Sequence, residues 1–272
     1  MAAKVQFIIV GVMKCGTTSL AHHFFQHPQI AIPANEPHYF DYDRHFRYDY
    51  AWYEALFDPY ITPETKAIGE KSPYSFYPFI PQRLYDYNPD FKLIWIFRNP
   101  VDRAYSNYQH DIFNVEEYRS FEKCIAEDEK REILWQYLCK GKYIEQVENH
   151  LQKFPLANMR FCIFEEFIRN PEPVLNELFS FIGVDPDRFR MVPDVHKKQA
   201  PMSKWHPAFI YFYKKYFSSK GRVWNYLYRK SFLEGRKQSM KPETRERLLD
   251  YYRPYNERLA QFLGRDLSIW NK

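Results

Sequence analysis

Four short apolar runs, separated by stretches of helical periodicity, set the expected architecture of this chain. The first, Val5-Gln-Phe-Ile-Ile-Val10, is rich in β-branched residues and predicts a strand buried on both faces. Lys66-Ala-Ile-Gly-Glu-Lys71, which runs into the turn-forming Ser72-Pro73, predicts a second. Lys92-Leu-Ile-Trp-Ile-Phe97 and Met159-Arg-Phe-Cys-Ile-Phe164 predict two more. A loop from Gly11 to Gly16 follows the first run, and Thr17-Thr-Ser-Leu20 opens a helix that stops before Pro28. After the third run, Pro100 and Asp102 mark the first turn of a helix. After the fourth, Leu175, Leu178, Phe179 and Ile182 recur at helical spacing. Further helices are expected from Tyr118 to Asp128, from Tyr143 to Phe154 and between Pro242 and Leu263, with loops and short helices over 196–240. Strands alternating with helices predict an α/β fold with a central parallel sheet flanked by helices. No internal repeat or compositional break divides the chain, so residues 1–272 read as one domain.

Composition narrows the class. With 45% hydrophobic and 27% charged residues the chain is globular rather than disordered. Aromatic residues make up 19%, and most of those rings are expected in the core. No apolar run approaches the roughly 18 residues needed to span a bilayer. The N-terminus lacks a signal-peptide pattern, so a cytoplasmic protein with no membrane partner is expected. Cys15, Cys124, Cys139 and Cys162 have no CxxC spacing, which argues for reduced thiols. A net charge of +5 is too small to imply nucleic acid, and the basic, aromatic stretch from Lys197 to Lys241 matches no recognised binding module. His23 and His27 have the spacing of metal ligands on a helix. With no third ligand nearby they read as a helix surface, and no metal is expected.

The glycine loop carries the candidate chemistry. A loop between a strand and a helix directs backbone N–H groups and the helix dipole at an anion. Gly11 and Gly16 have P-loop separation, yet Thr17 stands where a nucleoside-triphosphate P-loop has Lys, and the basic residue is Lys14. The third strand ends in Arg98, where an NTPase has an acidic magnesium-holding residue. A ligand with phosphates at two places suits both loops, one on Lys14, Thr17 and Thr18, the other on Arg98 with Ser106. The alternatives are a P-loop kinase, which needs a Lys after Gly16 and an acidic strand end, and a non-catalytic nucleotide-binding protein.

Lys14-Cys-Gly-Thr-Thr-Ser-Leu20 resembles the 5′-phosphosulfate loop of sulfotransferases that use 3′-phosphoadenosine 5′-phosphosulfate (PAPS), and Arg98-Asn-Pro-Val-Asp-Arg-Ala-Tyr-Ser106 is similar to their 3′-phosphate motif. Asn35-Glu-Pro-His-Tyr-Phe-Asp41, Gly69-Glu-Lys-Ser-Pro-Tyr74 and Phe164-Glu-Glu-Phe-Ile-Arg-Asn-Pro171 resemble segments of the heparan sulfate sulfotransferase branch. The resemblance implies a P-loop-like sulfotransferase fold and sulfuryl transfer from PAPS, released as 3′,5′-adenosine bisphosphate (PAP), to a hydroxyl or amine of a small-molecule or carbohydrate acceptor. It implies Glu36 as general base and Lys14 as the cation at the bridging oxygen. Lys71 would meet the sulfonate from the other side, and His38 and Asp41 would orient the base or the acceptor. Cys15, Gly16, Ser19, Arg236 and Lys237 complete the implied cofactor contacts, and Tyr143 and Gln146 match a helix that lines the acceptor cleft. The aromatic stretch from Phe40 to Tyr60 is a second source of acceptor contacts. Golgi members carry a membrane anchor and several a disulfide. This sequence shows neither, which points to a soluble, bacterial-type relative in natural product biosynthesis.

Overall fold

The computed structural model describes residues 4–191, apart from 115 and 118, and residues 240–272. Arg236, Lys237 and the stretch expected to form loops and short helices lie outside the described residues. The chain divides into two compact units. One comprises residues up to Arg98, Lys142–Asp194 and Tyr255–Leu267; the other comprises Asn99–Gly141, Val195–Pro254 and Ser268–Lys272.

The first unit holds the sheet. Its elements begin with β1 (Phe7–Gly11), α1 (Thr17–Phe25), β2 (Ile30–Ala31), α2 (Asp43–Phe46) and α3 (Tyr50–Ala55). They continue with β3 (Ala67–Lys71), α4 (Ile80–Tyr87) and β4 (Lys92–Phe97). All five strands of the sheet, the last of which is β5 (Met159–Ile163), run parallel in the order β2-β3-β1-β4-β5. The four runs read from the sequence are thus strands, and β1 sits at the centre with every residue buried. Two-residue β2 escaped the sequence reading because Ile30–Ala31 is too short to carry a period.

A parallel sheet brings the ends of all its strands to one edge, and open α/β sheets bind ligands at that edge where the strand order reverses. Here β1 lies between β3 and β4, so the loop after β1, Lys71 at the end of β3 and Arg98 after β4 converge there. The close approach of β1 and β3 depends on Gly69, which pairs with Phe7; a Cβ at Gly69 would lie 2.4 Å from the Phe7 ring.

In the second unit, α5 (Pro100–Phe113) starts at Asn99, whose side chain accepts from the N–H groups of Val101 and Asp102, and α6 (Phe121–Ala126) is capped by Ser120. The expected helix from Tyr118 is shorter than read, ending at Ala126 before a 3₁₀ turn at Asp128–Lys130. Arg103 and Lys140 are fully buried in this unit. Arg103 donates to Asn107 and to the Tyr137 carbonyl, and the Lys140 ammonium donates to the Leu134 carbonyl at 2.5 Å.

Back in the first unit, α7 (Tyr143–Leu151) precedes β5, and α8 (Phe164–Arg169) and α9 (Pro171–Ile182) follow it. Leu175, Leu178, Phe179 and Ile182 are all buried, as their spacing predicts. The last helix, α10 (Pro242–Leu263), contains Pro254, where the two units divide. Among the described residues no helix is long and apolar enough to cross a membrane, and none of the four cysteines is in a disulfide.

The histidine pair reverses its expected setting. His23 and His27 are both buried, because α1 ends at Phe25 and places His27 in the following turn. His27 Nε2 meets the Asp185 carbonyl at 3.0 Å, and its Nδ1 accepts from the Gln29 N–H, while the His23 ring packs edge-on against Phe167 and Phe189. These are core contacts rather than a helix surface.

Candidate active site

The loop after β1 is tied to the neighbouring strand by its backbone. Val12 N–H bonds the Ile96 carbonyl, tying the loop to β4, and Cys15 N–H returns to the Val12 carbonyl. Lys14 adopts a left-handed backbone (φ 68). Such a conformation costs a non-glycine residue of order 1–3 kcal/mol and persists where the surroundings enforce it. Gly16 is left-handed too (φ 93) and offers no side chain to cap α1, so the first-turn N–H groups of Thr17, Thr18 and Ser19 have no cap from it. A Cβ at Gly16 would sit 2.6 Å from the Phe164 ring, so glycine is required there twice over.

Phe164 links the two basic loops. The ring that abuts Gly16 also lies under the Arg98 guanidinium, 5.0 Å from the ring centroid. Tyr143 makes a second link, since its hydroxyl donates to the Arg98 carbonyl at 2.9 Å and lies 3.6 Å from Cys15 Sγ. Its ring stacks on Phe97 at 5.0 Å. Gln146, one turn along α7, accepts from Ser75 Oγ at 2.8 Å. Tyr143 and Gln146 are both buried, and these contacts fasten the loops from within the unit. Cys15 is likewise buried. Ser106 lies half-buried on α5, in the second unit.

Opposite the glycine loop, four charged side chains form an alternating series. Lys71 donates to Thr18 Oγ1 at 3.4 Å and to Glu36 Oε1. The other carboxylate oxygen of Glu36 is 3.1 Å from His38 Nε2, and His38 Nδ1 is 2.8 Å from Asp41 Oδ2. His38 thus lies between the Glu36 and Asp41 carboxylates. Tyr42 stacks on the His38 ring at 4.7 Å, and His38 itself holds a left-handed backbone (φ 50). The Glu36 carboxyl pays a desolvation penalty, but the bonds from His38 and Lys71 outweigh it and hold it below the usual carboxylate range. Burial also opposes charge on His38, yet Asp41 and Glu36 together push its pKa up to about 10. At neutral pH Glu36 is therefore an anion and His38 a cation.

That shift has a stability consequence. Because the folded-state value of His38 lies above its ordinary 6.5, its contribution is complete below pH 6.5 and is lost as pH rises through about 10. Urea melts between these limits are expected to show a decline in stability that His38→Gln lacks; equal slopes in parent and variant would contradict the assignment.

The site's donor set is cationic, with Lys14, Lys71 and Arg98 around an uncapped helix start. Among the described residues no group of His, Cys, Asp and Glu is arranged to hold a metal ion. A sequence profile described as "Sulfotransferase domain" matches residues 4–267. The chain belongs to the sulfotransferase domain family. Among curated sulfotransferases, mouse heparan sulfate glucosamine 3-O-sulfotransferase 6 is 30% identical over 269 residues, covering 97% of this chain and 73% of the relative. Mouse heparan sulfate glucosamine 3-O-sulfotransferase 3A1 is 29% identical over 97% of this chain, which spans 64% of that relative's length. The crystal structure of a sulfotransferase from Alicyclobacillus acidocaldarius superposes with a TM-score of 0.75 at 32% identity, covering 99% of this chain and 100% of its own. The sulfotransferase domain of the curacin biosynthetic pathway, at 16% identity and a TM-score of 0.52, shares the fold.

The features of this sulfotransferase domain that sequence reasoning missed are contacts rather than motifs. The Lys71–Glu36 pair joins the end of β3 to the segment after β2, and Phe164 acts through the contacts it makes with Gly16 and Arg98. The aromatic content of β5 and its flank hinted at the second, but only the sheet order shows what the ring touches.

Proposed function

We propose that this chain, working as one sulfotransferase domain, moves a sulfuryl group from PAPS to a hydroxyl, or an amine, of a carbohydrate or small-molecule acceptor. The observation that carries the reading is the ionised Glu36 carboxylate, bridged by Lys71 to Thr18 at the start of α1. Bound PAPS supplies an activated sulfuryl group and a phosphate leaving group. The residues fit such an anion: Lys14, Thr17, Thr18 and Ser19 surround the uncapped N-terminus of α1, and Arg98 is fixed by Phe164 and Tyr143.

Glu36 takes the proton of the acceptor as its oxygen bonds to sulfur. Lys71 and Lys14 offer positive charge where negative charge develops as the S–O bond to phosphate breaks, so their effect falls on the barrier and not on binding alone. His38, held between Glu36 and Asp41, keeps the carboxylate aimed. Each Glu36 oxygen has two lone pairs, so one bond apiece to Lys71 and His38 leaves room for the acceptor proton. The curated relatives' names specify a glucosamine hydroxyl, which makes amino sugars the first acceptors to screen.

Titration calorimetry of PAP against ADP and magnesium-ATP is the test. Metal-independent binding of PAP in preference to both is expected, because the site offers cations at two places and no acidic magnesium ligand at the end of β4. Preference for magnesium-ATP would return the kinase alternative.

A further inference from the structure

Glu70 precedes Lys71 on β3 and takes no part in the chemistry above, yet its carboxylate is fully buried. Oε1 accepts from the hydroxyls of Tyr53 at 3.0 Å and Tyr74 at 2.5 Å, and Oε2 accepts from Ser72 Oγ at 3.0 Å. Among the described residues no Lys or Arg pairs with it. A buried carboxylate without a cation is costly, so its retention calls for a reason.

The reason lies in what its donors touch. Tyr53, on α3, stacks on Tyr39 at 4.6 Å and meets Phe40 edge-on at 5.2 Å; Phe40 also meets Tyr74. Tyr39 and Phe40 are the two residues between His38 and Asp41 in the chain. The rings fixed by Glu70 are thus the rings on which the segment bearing Glu36, His38 and Asp41 is packed, and that segment carries the left-handed backbone of His38. From the same carboxylate, β3 leads directly to Lys71.

We infer that Glu70 is a positioning residue, which clamps the Glu36–Asp41 segment against Lys71 through Tyr53 and Tyr74. The inference rests on the proposed roles of Glu36 and Lys71. An ionised carboxylate only accepts and so satisfies all three hydroxyls, whereas a protonated one carries an O–H that must itself find an acceptor among them. Burial, aided by the negative charge of Asp41, pushes the Glu70 pKa up to about 7 despite its three O–H donors. The groups facing it are Asp41 of the catalytic segment, Tyr53 of α3, Tyr87 of α4, and Ser72 and Tyr74 beyond β3. The tyrosines stay neutral through this range, with Tyr53 and Tyr74 raised by burial and by Glu70 itself. The three hydroxyls are therefore held by a carboxylate above about pH 7 and by a carboxylic acid below it.

The test reads His38 and needs no acceptor. Nitrogen-15 NMR titration of the His38 ring in the full chain is compared with Glu70→Gln and with the double variant Tyr53→Phe/Tyr74→Phe. In both variants the His38 pKa is expected to fall by about one unit or more, a tenfold loss of proton affinity. PAP affinity, measured in parallel, is expected to stay within about threefold, because Glu70 and its hydroxyl donors Tyr53, Ser72 and Tyr74 belong neither to the glycine loop nor to the Arg98 segment. The double variant removes the clamp's two tyrosine hydroxyls while leaving the Glu70 side chain unsubstituted, so the two variants break the same contacts from opposite ends. A fall in Glu70→Gln alone, or in neither, overturns the inference. Should Glu70→Gln not fold, the phenylalanine variants, which remove two hydroxyls and conserve the rings, decide it alone. Failure of the unsubstituted chain to bind PAP would count against the proposed function and leave the His38 comparison intact.

Discussion

Glu36→Gln is expected to lower turnover by about 10²–10⁴-fold, the usual worth of a positioned general base, while PAP binding survives. The amide keeps the size of the side chain and can accept from Lys71, but it cannot take up a proton from the acceptor. It also turns an NH₂ toward His38 Nε2, which at neutral pH is itself a donor, so the hydrogen bond at 3.1 Å is replaced by a clash of donors. The carboxylate is kept below its usual range by His38 and Lys71, which makes it a weak base in return for being fully ionised. Its action therefore depends on placement, with the proton leaving as the new S–O bond forms, and Glu36→Asp, one methylene shorter, is expected to recover little. Radiolabelled PAPS with any accepted amino sugar or alcohol measures the loss. Turnover within a few-fold of the parent in Glu36→Gln would remove Glu36 as the base.

What the sequence disclosed of this architecture follows from the burial of its strands. Parallel strands covered on both faces read as continuous apolar runs, which is why β1, β4 and β5 were legible to within about two residues. Between Phe40 and Tyr60 the rings follow neither a strand nor a helix period, and α2 and α3, of four and six residues, left no pattern to find. Their packing is ring on ring, as in the cluster of Tyr39, Tyr53 and Phe40, and is set by tertiary contact. The candidate site was legible as motifs, because anion loops need glycine, threonine and lysine at fixed offsets. Its wiring was not: Glu36 and Lys71 are 35 positions apart, and only the pairing of β1 with β3 brings the end of β3 to the loop after β1. The misread histidines make the same point from the other side. Spacing of four residues places His23 and His27 on one face only if the helix continues, and α1 stops between them.

Lys71→Met is expected to cost about 10²–10³-fold in turnover, comparable to removing one donor from an anion-stabilising site, and to change the shape of the pH–rate profile as well. Methionine fills a similar volume beside Thr18 but carries no charge, so two effects follow. The first is loss of the cation at the sulfonate. The second acts through Glu36, where burial already favours the neutral acid and is outweighed by His38 and Lys71 acting together. With Lys71 gone, the desolvation that raises the Glu36 pKa is opposed by His38 alone, so that pKa moves upward. The variant should then show an acid limb, with turnover rising with pH as Glu36 ionises, at a higher pH than any such limb in the parent. Lys14→Met would remove a cation from the glycine loop and is expected to depress turnover with no displacement of that limb, because the Glu36 carboxylate is held ionised by His38 and Lys71. The comparison of the two profiles, at saturating PAPS and across about pH 4 to 8 where carboxylates and histidines titrate, isolates the part of the Lys71 effect that travels through the base. Coincident profile shapes in the two variants would mean that the Lys71–Glu36 contact has no bearing on the protonation state of Glu36.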